Sequence, residues 1–110
     1  MERQVRWEIY NQKSPIYYEL CDAEAEIAAC DTHEEVLLAQ KNFCRLYYGK
    51  AHIIAQLDDT IFKQKIRFMK SLNNYLWNDS NKSPNDVFGS SSLELSLLCS
   101  HILDIDSLEK

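Results

Sequence analysis

The chain has 110 residues, 45% of them hydrophobic and 26% charged, enough for one domain that buries a core without metal or disulfide staples. Two glycines and two prolines are too few for a β-sandwich or barrel, which needs a turn about every 8 to 12 residues, so the expected class is all-α. A net charge of −5 disfavours the cationic surface that binds nucleic acid, and no run of about 18 apolar residues marks a membrane span.

The first helix begins near the N-terminus and carries Val5, Ile9 and Tyr10. Ser14-Pro15 reads as a cap followed by proline at a first helical position, yet the apolar spacing of Ile9, Ile16, Leu20, Ala23, Ile27 and Cys30 runs straight through it. One helix over 2–30, kinked at Pro15, is therefore favoured over two helices. Thr32 with Glu35 three residues on forms a capping box that opens a second helix over 33–48. Its apolar stripe is broad: Val36, Leu37, Ala39, Phe43, Cys44, Leu46 and Tyr47. Phe43, Leu46 and Tyr47 share one face at the helix end, and Gly49 is expected to supply a positive φ that stops it.

Residues 50–57 are short enough to be a helical turn or an extended connector. Asp58 or Asp59 caps a third long helix over 58–77, with Ile61, Phe62, Ile66, Met69, Leu72 and Leu76 on one side. The stretch 78–92, rich in Asn, Ser and Asp with Pro84 and Gly89, reads as a long mobile loop anchored at Val87-Phe88. A last helix over 92–106 starts at a serine cap, Ser91 or Ser92, and carries Leu95, Leu98, Cys99, Ile102 and Ile105. The expected architecture is a single domain over 1–110, an antiparallel four-helix bundle.

Three stretches together resemble a family of uncharacterised bacterial helical proteins. They are Pro15-Ile16-Tyr17 opening a helix with Ala23, Ala25, Ala28 and Ala29 in its middle, the F-x-x-L-Y-x-G of Phe43, Leu46, Tyr47 and Gly49, and Leu95 to His101 (LSLLCSH). Members of that family often carry the segment after a membrane-spanning helix. The resemblance thus implies a helical fold and a membrane tether outside this chain, and it implies no mechanism. The chain departs from the family at Cys44, where a second aromatic is usual, and at Gln56, where a glutamate is.

Residue chemistry points away from catalysis. A di-iron bundle needs Glu-x-x-His pairs, but the residues three after Glu24, Glu34, Glu35 and Glu94 are Ile27, Leu37, Leu38 and Leu97. His33, His52 and His101 fall in different elements, so a zinc site from His101, Cys99 and a remote residue gives way to ordinary surface or core roles. Cys44 lies near the partially negative end of its helix, which disfavours a thiolate, and reads as core. The widely spaced Cys21, Cys30, Cys44 and Cys99 read as free, buried thiols of a reducing compartment. No glycine-rich phosphate loop or nucleophile elbow is present.

Two charged stripes border apolar faces: Glu19, Asp22 and Glu26 on the first helix, and Lys63, Arg67 and Lys70 on the third. They are expected to meet across a seam, within one chain or across a dimer. Trp7, Tyr10, Tyr18, Tyr48, Tyr75 and Trp77 are expected at the surface, more aromatics than a small core needs. The resulting expectation is a noncatalytic protein-interaction or sensory module with no cofactor and no metal. Its contact surface is Trp7, Ile9 and Tyr10 together with Lys63, Arg67 and Lys70, and its partner is another protein or a second copy rather than nucleic acid. It is expected in the cytoplasm, at the inner membrane face where a tether is present. The alternative is a small metal-binding or enzymatic bundle.

Overall fold

A computed structural model describes residues 2–55 and 57–108, with side chains at 11, 14–55 and 57–104. The expectations at Val5, Trp7, Ile9, Tyr10 and Ile105 concern side chains outside this set. Every element among the described residues is helical: α1 (Glu2–Ala28), α2 (His33–Tyr48), α3 (Lys50–Ala55), α4 (Asp59–Asn78) and α5 (Pro84–Leu108). The molecule is elongated, 52 × 22 × 18 Å, with a radius of gyration of 14.8 Å. No helix among the described residues is long and apolar enough to cross a membrane.

α1 is the spine. It packs most extensively on α5, then on α2 and α3, burying Tyr17, Leu20, Ala23, Ile27 and Ala28, and it runs unbroken through Pro15. Half of the box between α1 and α2 forms as expected, with Thr32 Oγ1 accepting from the Glu35 N–H at 3.2 Å; the return bond shifts by one residue, the Asp31 N–H donating to Glu35 Oε2 at 3.1 Å. One orphan donor of the first turn and the N–H just before the cap are thereby satisfied.

Gly49 departs from expectation. Its φ is −104° and the chain does not turn back; after this one residue it re-enters helix as α3. The glycine is needed for room rather than for handedness, because a Cβ there would lie 2.7 Å from the backbone oxygen of Arg45. Asp58, the residue before α4, has no side-chain capping bond; instead it accepts the Tyr17 hydroxyl at 2.5 Å, tying α4 to α1.

The long loop is a larger correction. Only residues 79–83 separate α4 from α5, so 84–92 are the first turns of a helix rather than a mobile loop, and no serine cap exists at 91 or 92. Pro84 takes a first-turn position where its missing N–H costs nothing, and the Val87 N–H donates to the Ser83 carbonyl at 3.1 Å. Gly89 and Ser90–Ser92 are poor helix formers, but α5 packs on α1 more extensively than any other two elements pack on each other, and with Ala25, Ala28 and Ala29 the small residues Gly89, Ser90 and Ser92 leave a hollow of about 540 Å³ between the two helices. Phe88, as expected, is an anchor and fully buried. A Cβ at Gly89 would meet nothing nearer than Asn85 Oδ1 at 4.0 Å. Gly89→Ala is therefore expected to raise stability by about 0.5–1 kcal/mol, read as a higher urea midpoint at unchanged slope.

An aromatic run crosses the core. Phe43 stacks at 5.9 Å from Tyr47 and 5.0 Å from Phe68; Phe68 and Tyr75 each lie 5.3 Å from Phe88. Tyr75, expected at the surface, is fully buried by this arrangement.

Candidate functional site

Two regions carry more than packing. The first is an interior polar cluster that the apolar pattern conceals. Glu24 of α1 and Gln64 of α4 are buried, and Gln64 Nε2 donates to Glu24 Oε1 at 3.0 Å and to the Ser91 carbonyl at 2.8 Å. Glu24 Oε2 and Gln64 Oε1 have no hydrogen-bond partner. Burial pushes the Glu24 carboxyl well above its ordinary range, against the opposing pull of the Gln64 bond. Cys21, one turn away, shares a hydrogen bond with Cys99 of α5, which holds the Cys99 thiol far above its usual range and Cys21 below it. All four cysteines are free thiols. A buried carboxyl, an amide and two thiols form a joint between three helices. Among the described residues no group of His, Cys, Asp and Glu is arranged to hold a metal ion.

A further interior polar residue lies next to Gln64 on α4. Lys65 is buried with its Nζ 3.9 Å from the Tyr47 ring centroid and 5.0 Å from that of Phe62, and 3.2 Å from His52 Nδ1. Desolvation lowers its pKa, while the two rings offer the ammonium a cation–π environment. Sequence reasoning missed Glu24, Gln64 and Lys65. The available signal was their spacing: Glu24 falls between Leu20 and Ile27, and Gln64 and Lys65 between Ile61 and Phe68, on the inward arc of their helices.

The second region is the outer face of α5. Leu93 and Leu97, one turn apart, are 68% and 72% exposed. With Ser90, Glu94, Leu98 and His101 they border a shallow groove of about 530 Å³. Arg67 of α4 reaches Glu94 at 3.0 Å on one side, and Ala25 and Ala29 of α1 adjoin Gly89 and Leu93 on the other.

Among the described residues the charged stripes do not pair with one another. Glu19 binds Lys50 at 2.9 Å, Lys63 binds Asp59 at 2.9 Å and Arg67 binds Glu94. Asp22 and Glu19 instead line a cleft of about 680 Å³ with Asn42 and Arg45 of α2. Lys63, Arg67 and Lys70 are exposed, as are Tyr18, Tyr48 and Trp77, the last 85% so.

Comparison with known proteins returned no matching family model. Neither a curated protein nor a solved structure matches.

Proposed function

We propose that this chain is a noncatalytic protein-interaction or sensory module, built as an antiparallel bundle of its four long helices with α1 bent near Pro15. The observation that carries the reading is the Leu93/Leu97 face, two large aliphatic side chains on adjacent turns left in solvent beside the exposed Arg67. Exposed apolar patches rimmed by polar groups mark contact sites. The contact surface extends to Lys63, Arg67 and Lys70 and to the aromatic start of α1 at Trp7, Ile9 and Tyr10. Its partner is a protein or a second copy of the chain, with no role for nucleic acid. In keeping with the family resemblance, the module works in the cytoplasm, at the inner membrane face where a separate segment tethers it.

Two measurements test this. A photo-crosslinking residue at position 97 should capture a discrete protein in cells expressing the chain, and one at exposed position 73 on α4 should not. Elemental analysis of untagged protein should find no stoichiometric metal. Bound iron or zinc in a fixed ratio would overturn the reading in favour of a metal-binding bundle, as would equal crosslinking at both positions.

A further inference from the structure

Cys21 and Cys99 meet where α1 packs on α5. Contacts step back along α1 as they step forward along α5: Asn85 Nδ2 donates to the Ala28 carbonyl at 3.3 Å, Gln64 joins Glu24 to the Ser91 carbonyl, and Cys21 then meets Ser96 and Cys99. Ser96 and Cys99 stand three residues apart on one face of α5, so both side chains reach the same sulfur. Cys99 is 3% exposed and belongs to the core, whereas Cys21 is only half-buried and solvent reaches it.

We propose that Cys21 and Cys99 are a redox-modification site, a dithiol that hydrogen peroxide closes into a disulfide clasping α1 to α5. The inference stands apart from the interaction reading above and needs no partner.

The two thiols are unequal in the way this chemistry requires. Hydrogen bonds from the Cys99 S–H and the Ser96 O–H favour a thiolate at Cys21 against its burial and the nearby Asp22, and hold its pKa below the usual thiol value, while Cys99 keeps its proton. The nucleophilic form therefore belongs to the sulfur that solvent reaches. Having released its proton to water, the Cys21 sulfur attacks one oxygen of the peroxide and the O–O bond breaks. Hydroxide leaves and takes up a proton as water, and Cys21 becomes a sulfenic acid. Cys99 is held protonated chiefly by its bond to Cys21, a hold that ends once that sulfur is no longer anionic. The Cys99 sulfur then attacks Cys21, the S–O bond breaks, and the oxygen departs as a second water carrying the Cys99 proton. Two sulfurs have together given up two electrons and two protons, and one peroxide has become two waters. Sulfurs that begin in contact have only a short distance to close. Cys30 and Cys44 stay outside this chemistry: Cys30 spends its S–H on the Glu26 carbonyl at 3.1 Å, and burial pushes both thiols up.

Mass spectrometry of the full, untagged, reduced chain after treatment with hydrogen peroxide is the test. The expected product has lost two hydrogens, carries a cross-link between Cys21 and Cys99, and returns to the starting mass with dithiothreitol. Cys21→Ser should slow thiol loss by roughly tenfold or more. Cys99→Ser should leave Cys21 as a sulfenic acid that dimedone captures. Peptide mapping of the wild-type chain decides the pairing even if Cys99→Ser, a change in the core, fails to fold. A cross-link between other cysteines, sulfinic acid at Cys21 with Cys99 still reduced, or a Cys21→Ser chain that loses thiols as fast as the wild type would overturn the proposal. Crosslinking at position 97 is read separately, so either inference can fail while the other stands.

Discussion

Phe43→Ala is expected to lower the unfolding free energy by about 3–5 kcal/mol, a large share of what a domain of this size possesses. The ring is fully buried and lies centrally in the aromatic run, in contact with Tyr47 on its own helix and Phe68 on α4. Its removal leaves a void walled by rings that cannot collapse together, because Phe68 is held in turn by Phe88 of α5. Urea titration should show a lower midpoint at an unchanged slope. A shift worth less than about 1 kcal/mol would mean that the aromatic run is not the structural centre.

The interior joint gives the second large effect. Gln64→Leu removes the donor that serves both Glu24 and the Ser91 carbonyl, leaving a buried carboxyl and a half-buried carbonyl without it, at a cost of roughly 2–4 kcal/mol. Replacing Glu24 and Gln64 together by leucine should recover much of that loss, since the polar pair is then absent rather than broken. The same carboxyl makes stability depend on pH in an unusual direction. Its folded pKa is raised, so the folded state holds a proton that the unfolded chain has released. This contribution is complete below the ordinary glutamate value and is lost as pH rises through the folded value, at up to about 1.4 kcal/mol per pH unit within that window. Glu24→Gln should flatten the decline; a wild-type chain whose stability rose with pH across the window would contradict the assignment.

What was legible in the sequence was whatever a single helix decides for itself. The all-helical class followed from the scarcity of turn residues, the start of α2 from Thr32 and Glu35, and the inward positions Leu20, Ala23, Ile27 and Phe43 from spacing alone. The failures share one cause, which is a neighbour. Residues 84–92 look like a loop because Asn, Gly and Ser favour loops in isolation; packing of α5 on α1, with Phe88 buried in the core, holds them in a helix. A glycine after a helix favours a positive φ when the chain turns away, but at Gly49 the helix that restarts at Lys50 sets a negative one. Tyr75 looked surplus until Phe88, thirteen residues away, came back to cover it. The acidic and basic stripes were each visible, but each charge finds a partner elsewhere, Glu19 on Lys50, Lys63 on Asp59 and Arg67 on Glu94, and those partners come from elements whose placement the stripes do not reveal.

The elongated outline has a practical consequence for anyone weighing the molecule. A compact chain of this length has a radius of gyration near ~13 Å, and this one reaches 14.8 Å with a long axis more than twice either short one. Its friction in water therefore exceeds that of a sphere of the same mass. Gel filtration against globular standards will assign the monomer too large a mass, so an early elution volume by itself is no evidence of association. Mass must come from a method blind to shape, and the diffusion coefficient measured beside it becomes a check on the helix arrangement: a monomer that diffuses like a sphere would mean that α1 folds back on itself at Pro15.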